Sequence, residues 1–288
     1  MSEYCNQNLI PTSFNNDNSW VILSPVERRI KEKIEKVGKP LREWDINIYR
    51  GILTGYNEAF IIDGKTKDAL IEKSAKNAEI IRPILRGRDI KRYRADFSDL
   101  WLLNIHNGTN TTLPVNIEDY PDIKEHLDKF FPELSDRQDK GCTPYNLRSC
   151  AYTEDFSRQK IVWGNLCLNA QFAFAEEGVF VNAPSTMIVP GSKYLLGILN
   201  SKISDFFIRN LGVVRNGGYF EYKPMFVSQL PVPQCDGEIS IKIEALVTEI
   251  LGAIGQGLDV FDLEATLNRI IFKLYDLTEE EISFIENL

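Results

Sequence analysis

The side chains with the clearest chemical potential lie between Arg82 and Arg94, in the run Arg-Pro-Ile-Leu-Arg-Gly-Arg-Asp-Ile-Lys-Arg-Tyr-Arg. Five arginines, one lysine and one aspartate give a balance of +5 over 13 residues, on a chain whose formal net charge is −8. Guanidinium groups are planar forks that match phosphate oxygens and guanine edges. Runs of charge commonly form solvated faces. Here Pro83 and Gly87 break helix, so Arg86, Arg88, Lys91 and Arg92 are expected on a loop, where binding surfaces usually form. Two further segments mix arginine, asparagine and tyrosine: Tyr145-Asn146-Leu147-Arg148, and Val214 to Tyr219 with Arg215 and Asn216. Arginine pairs with guanine O6 and N7, and asparagine with adenine N6 and N7. Each segment reads equally as turn chemistry or as recognition. Gly51 to Phe60 is a glycine-bounded loop leading into a strand, with Tyr56 and Asn57 at its tip.

Other motifs fail on their missing parts. Gly64-Lys65-Thr66 resembles the end of a phosphate-binding loop, but position 59, where a glycine is required, is Ala59. No Gly-x-Gly-x-x-Gly is present. Asn182-Ala183-Pro184-Ser185 lacks the paired prolines and aromatic residue that would grip a flipped base, so it reads as a strand-end turn. Glu221-Tyr222-Lys223 has the Glu-x-Lys form of many nucleases, without a companion acid at short range to hold Mg²⁺. Neither histidine has an obvious triad setting, and no Gly-x-Ser-x-Gly elbow occurs. No self-contained active site is legible.

Composition is that of an ordinary globular protein: 288 residues, 43% hydrophobic and 26% charged. No apolar run approaches the ~18 residues that span a bilayer, and the polar N-terminus lacks a signal-peptide pattern. Five cysteines, an odd number with no Cys-x-x-Cys spacing, argue against a disulfide framework or a zinc site and fit a reducing cytoplasm. Charge is unevenly placed. Residues 236–288 hold 12 acidic and 3 basic residues, so the remainder of the chain is close to neutral. A near-neutral body with a basic patch is compatible with DNA without demanding it.

The elements that must position these residues follow from capping and periodicity. Residues 1–19 read as an arm or the end of a linker. Ser24-Pro25-Val26-Glu27 starts a helix that Gly38 and Pro40 stop. Ile46 and Ile48, Ala59 to Ile62, Leu100 to Ile105, Lys160 to Trp163, Phe172 to Phe174, Val179 to Val181 and Thr186 to Val189 read as short strands of an antiparallel or mixed sheet. Helices are expected over Thr66 to Lys73, Tyr120 to Phe131 and Ser192 to Leu211. After Pro231-Val232-Pro233, the apolar spacing predicts an acidic helical hairpin, and Thr278 to Glu281 caps a third short helix. The predicted class is α+β: a β-rich recognition body with packed helices over 41–235, preceded by an arm and helix (1–40) and followed by a helical tail (236–288).

Taken in order, these segments resemble the TaqI-type C-terminal specificity domain of N6-adenine DNA methyltransferases and of fused type IIG restriction–modification enzymes. The matching pieces are Gly51–Phe60, Ile80–Tyr93, Asn146–Trp163, Leu195–Ser201, Gly217–Pro233 and the tail from Leu274 to Glu281. The resemblance spans roughly residues 40–285. It implies that a catalytic part binding S-adenosylmethionine lies in another segment or subunit, because the cofactor glycines and the Asn-Pro-Pro-aromatic loop are missing here. The chain is then either a fragment of a longer protein or a separate specificity subunit, and methylation by this polypeptide alone is not expected. The implied partners are double-stranded DNA and the catalytic domain, with no cofactor, metal or membrane in this chain. Arg86, Arg88, Lys91 and Arg92 are expected at phosphates or groove edges. Arg148, Arg215 and Asn216 are expected at bases, Asn146 is expected among the DNA-binding residues, and Tyr219 and Lys223 support the strand that follows. Two alternatives remain: a protein–protein adaptor, and a divergent complete nuclease or methyltransferase.

Overall fold

The structure, a computed structural model, describes residues 23–109, 112–235 and 237–288. The expected arm over 1–19 lies outside them. Helix α1 (Pro25–Val37) begins at the expected capping box, in which Ser24 and Glu27 satisfy each other's backbone N–H. Its buried face is Ile30 and Ile34. Along the chain follow β1 (Lys39–Pro40), β2 (Asn47–Arg50), the helical turn α2 (Asn57–Phe60), β3 (Ile61–Asp63), α3 (Gly64–Lys73), β4 (Ile81–Leu85), β5 (Ile90–Lys91), β6 (Arg94–Ala95), β7 (Leu100–Leu103), α4 (Pro121–Asp128) and α5 (Phe131–Asp136). Then come β8 (Lys160–Trp163), β9 (Leu166–Cys167), β10 (Phe172–Ala175), β11 (Phe180–Val181), β12 (Thr186–Val189), α6 (Lys193–Leu199) and α7 (Lys202–Leu211). The chain continues through β13 (Phe220–Glu221), α8 (Pro224–Val227), β14 (Pro231–Val232), α9 (Glu238–Gly255), α10 (Phe261–Leu274) and α11 (Glu279–Glu286). The class is α+β, as expected.

Two four-stranded sheets form the body. One has the order β10-β8-β12-β2 and is antiparallel throughout. The other has the order β11-β4-β7-β3, with β11 and β4 parallel. An Ile52–Asn182 bridge joins them. All four residues of β8 are buried, because the first sheet is covered on both faces. Ile161, Trp163, Phe172 and Ile188 enter one core with α1, α6, α7 and the C-terminal helices. Val162, Ala173, Met187 and Val189 enter a second core with β3, β4 and β7. A strand buried on both sides reads as a continuous apolar run rather than an alternation.

These two cores divide the chain differently from the expected segments. The core containing Ile30 and Ile34 also contains Trp163, Ile243, Val247, Ile271 and Ile285. The break near Pro233 is thus a change of secondary structure, and the helices after it share a core with the body. Gly197 in α6 makes the close approach to α9: a Cβ there would lie 2.9 Å from Val247 Cγ2.

Three elements differ from expectation. Ser192–Leu211 is two helices, because buried Asn200 bonds both the backbone N–H and the carbonyl of Phe172 while Ser201 caps α7. That exchange ties the helix break to the β10 edge. Tyr120–Phe131 ends as a helix at Asp128, and Phe131-Pro132 opens α5 separately. Ala59 and Phe60 belong to a helical turn rather than a strand, both buried in the second core.

Candidate nucleic-acid interface

Strand register gathers most of the loops singled out in the sequence at one end of the two sheets. Arg50 pairs with Thr186, Thr186 with Trp163, and Trp163 with Phe172. In the second sheet, the parallel pair β4 and β11 ends at Leu85 opposite Val181. The Ile52–Asn182 bridge is parallel, so both sheets end on the same side. The segments 51–57, 86–89, 164–166 and 182–185 therefore leave from a common rim. Backbone bonds connect them: Gly51 N–H to Ser185 O at 2.8 Å, Asn182 N–H to Leu85 O at 2.8 Å, and Tyr222 N–H to Asn165 O at 2.8 Å. A Cβ on Gly164 would sit 3.5 Å from the Gly87 carbonyl oxygen, so the basic loop lies directly beside the turn after β8.

The basic run itself is sorted by its partners. Arg86 turns onto buried Asp89, donating from Nε and Nη2 at 2.9 Å each, and so rigidifies the loop. Burial pushes the Asp89 carboxyl up, but the Arg86 side chain and backbone N–H and the Ser98 hydroxyl outweigh it and hold the pKa below its ordinary value. Arg82 donates to the carbonyls of Ala78, Glu79 and Ile81, and Arg94 pairs with Asp96 at 2.7 Å. Arg92 departs from expectation: it reaches Glu264 of α10 at 2.5 Å and the Ala170 carbonyl at 3.3 Å, fastening the loop to the C-terminal helices. Arg88 and Lys91 are exposed and make no ion pair among the described residues. The net positive charge of this run thus rests on Arg82, Arg88 and Lys91, of which only Arg88 and Lys91 are exposed.

The second loop cluster is organised from beneath. Asn146, expected among the DNA-binding residues, is 1% exposed. Its amide donates to Val115 O at 2.9 Å and His106 O at 3.3 Å, and its oxygen accepts from Thr143 Oγ1. That side chain is scaffold, since all its bonding capacity faces inward. Arg148 is exposed and pairs with Asp139 at 2.9 Å. Beneath both lies Arg137, only 7% exposed, whose guanidinium donates to the carbonyls of Thr54, Asp139, Pro144 and Asn146. It lies 4.5 Å from the centre of the Phe60 ring. Desolvation pulls its pKa down to about 10. Arg137 fixes the Gly55 loop to the segment carrying Arg148, so the Arg148 loop adjoins the rim through Gly55.

The third cluster is built on β13. Arg215 and Lys223 share the carboxylate of Glu221, with Arg215 Nε at 2.6 Å and Lys223 Nζ at 2.9 Å. Hydrogen bonds from Lys223 and then Arg215 hold the Glu221 carboxyl below its ordinary pKa. The Glu-x-Lys motif is therefore an ion pair. No group of three metal-ligating side chains occurs among the described residues. Asn216 and Tyr219 are exposed in the turn over Asn216–Gly218 and just after it.

The TaqI-like C-terminal specificity domain model matches residues 82–232, more than half of the chain, from β4 to β14. The chain belongs to this family. A type II methyltransferase, M.MjaIV of Methanocaldococcus jannaschii, is 22% identical over 237 residues, covering 77% of this chain and 76% of that protein. Among solved structures, the type IIL restriction–modification enzyme MmeI in complex with DNA aligns with a TM-score of 0.67 and 14% identity, over 87% of this chain. The type IIG restriction endonuclease BpuSI aligns with a TM-score of 0.53 and 15% identity, over 88%. The chain spans about a third of each of those two proteins, 35% and 33%. The specificity-domain match thus includes the basic loop, the Arg148 loop and the Glu221 cluster.

Two organisers of the site escaped the sequence reading. Arg137 sits in a polar stretch that nothing distinguishes from a solvated loop. Glu221 was visible only as half of a nuclease-like motif. A third residue, exposed Arg50, ends β2 at the rim and stood outside the motif that begins at Gly51.

Proposed function

We propose that this chain reads the target sequence of double-stranded DNA for an adenine-N6 methyltransferase or a type IIG restriction–modification enzyme. The observation that carries the proposal is the common rim. Loops from both four-stranded sheets of a TaqI-like specificity domain, with the β5 and β13 ribbons beside them, carry Arg50, Arg88, Lys91, Arg148, Arg215, Asn216 and Lys223. The cations of this rim without a carboxylate partner among the described residues, Arg50, Arg88 and Lys91, suit phosphate contact, which positions a duplex without reading it. Arg215 and Asn216 suit base edges, and Arg148 is the third candidate. Arg86, Arg92 and Asn146 support the loops from within.

Catalysis and S-adenosylmethionine binding fall to a partner domain or subunit, with cytoplasm as the setting. The free cysteines Cys142, Cys150 and Cys167 suit a reducing compartment. Among the described residues no helix is long and apolar enough to cross a membrane. Selection of duplexes by the full chain from a randomised library tests the proposal. A discrete consensus is expected. Binding that enriches no sequence, or no binding at all, overturns it.

A further inference from the structure

The segment around β9 and β13 carries exposed apolar side chains among its cations. Residues 214–215, 219–221 and 166–167 run side by side. Val214 bridges Phe220, Arg215 N–H bonds Tyr219 O at 2.7 Å, and Phe220 and Glu221 pair with Cys167 and Leu166. Directly paired residues share a face and successive residues alternate between faces. One face is therefore Val214, Phe220, Cys167 and Tyr222, with Val214 exposed on the outer run. Cys167 and Tyr222 are buried, and Phe220 is half-buried with the Arg209 guanidinium 4.1 Å from its ring centre. The opposite face is Leu166, Val213, Arg215, Tyr219, Glu221 and Lys223. On it Leu166 is 53%, Val213 52% and Tyr219 42% exposed. The turn closing the ribbon has both Gly217 and Gly218 at φ +78°, and a Cβ on Gly218 would meet nothing within 4 Å. Side chains are therefore absent where the tip would meet another surface.

We propose that this ribbon enters the major groove and reads thymine through apolar contact of Leu166, Val213 and Tyr219 with its 5-methyl group. This rests on the reading of the rim as a duplex-binding surface. The two runs joined by the 216–218 turn, about 4.8 Å apart, make a two-stranded ribbon, which the major groove, about 12 Å wide, admits, with Leu166 of the third run alongside. Arg215 and Lys223 flank the apolar centre and are held in place by the buried Glu221 carboxylate. That pattern of cations beside exposed aliphatic side chains matches a polyanion whose interior presents methyl groups. A solvated face has no need of three exposed large apolar side chains on one side of a ribbon.

The test uses duplexes selected by the full chain and resynthesised with uracil in place of every thymine. Uracil pairs alike but lacks the methyl. Affinity of the natural chain is expected to fall by about four-fold for each methyl touched, the value of one buried methylene. Leu166→Ser with Val213→Ser should keep only the preference that Tyr219 supplies, about four-fold between the two duplexes. If that double variant melts early, Leu166→Asn alone carries the comparison. Equal affinity of the natural chain for the two duplexes, a selected consensus without thymine, or an undiminished thymine preference in the variants would each overturn the proposal. A natural chain that selects no sequence would instead overturn the DNA-recognition reading on which it rests.

Discussion

Removing the two unpaired cations of the basic loop should change how DNA affinity depends on salt, and removing their neighbour Arg92 should not. Arg88 and Lys91 are exposed with no carboxylate partner among the described residues, whereas Arg92 is fixed to Glu264 at 2.5 Å. Each phosphate contact contributes about −0.9 to the slope of log affinity against log salt. Arg88→Ala with Lys91→Ala should therefore make the slope shallower by about 1.8. Between 50 and 200 mM salt, the natural chain should lose roughly twelve-fold more affinity than the double variant. Fluorescence anisotropy with a labelled duplex at four or more salt concentrations measures this directly. Arg92→Ala should leave the slope in place. It should lower stability by about 1 kcal/mol, because the pair it breaks is half-buried and bridges two parts of the chain. An unchanged slope in the double variant, or a shallower one in Arg92→Ala, would refute the division of the loop into free and structural cations.

Further predictions concern buried groups that hold the loops. Asn146→Ala leaves the Val115 and His106 carbonyls without their amide donor, which should cost about 2–3 kcal/mol in urea unfolding and leave the salt slope unchanged. Lys160 is fully buried, donates to the carbonyls of Phe156, Arg158 and Glu176, and is pushed by desolvation from 10.5 to about 8. Between those values the unfolded chain holds the extra proton, so this group should make stability rise with pH from about 8 to 10.5. Relative to the natural chain, Lys160→Met should lose that rise. Parallel pH profiles for the two proteins would contradict the assignment.

Much of the scaffold was legible because its signals are local. Ser24-Pro25-Val26-Glu27 and Thr278 to Glu281 fix their own helix starts through side chain–backbone bonds three residues apart. The apolar runs of β8 and β12 could be located because both faces of each strand are buried. The break at Asn200 was not legible, since its cause is a bond to Phe172, 28 residues earlier in the chain. The site was legible as residue types but not as partnerships. The run from Arg82 to Arg94 shows its charge in the sequence. That Arg86 belongs to Asp89 and Arg92 to Glu264 depends on distances only the fold sets. Asn146 and Arg148 look alike as recognition residues and differ only in burial, which follows from Arg137 drawing the chain beneath them inward. The partition into segments at 40 and 235 followed composition, whereas the two cores follow the two faces of one sheet.

Hydroxyl-radical footprinting of the full chain, with and without a selected duplex, addresses the shared rim most directly. Protection is expected at side chains of residues 50–57, 86–91, 164–168 and 213–223 together, leaving the opposite strand ends around Gln159, Glu176 and Pro190 as reactive as in the free protein. Protection confined to those opposite ends, or to the exposed side chains of α9 and α10, would contradict it.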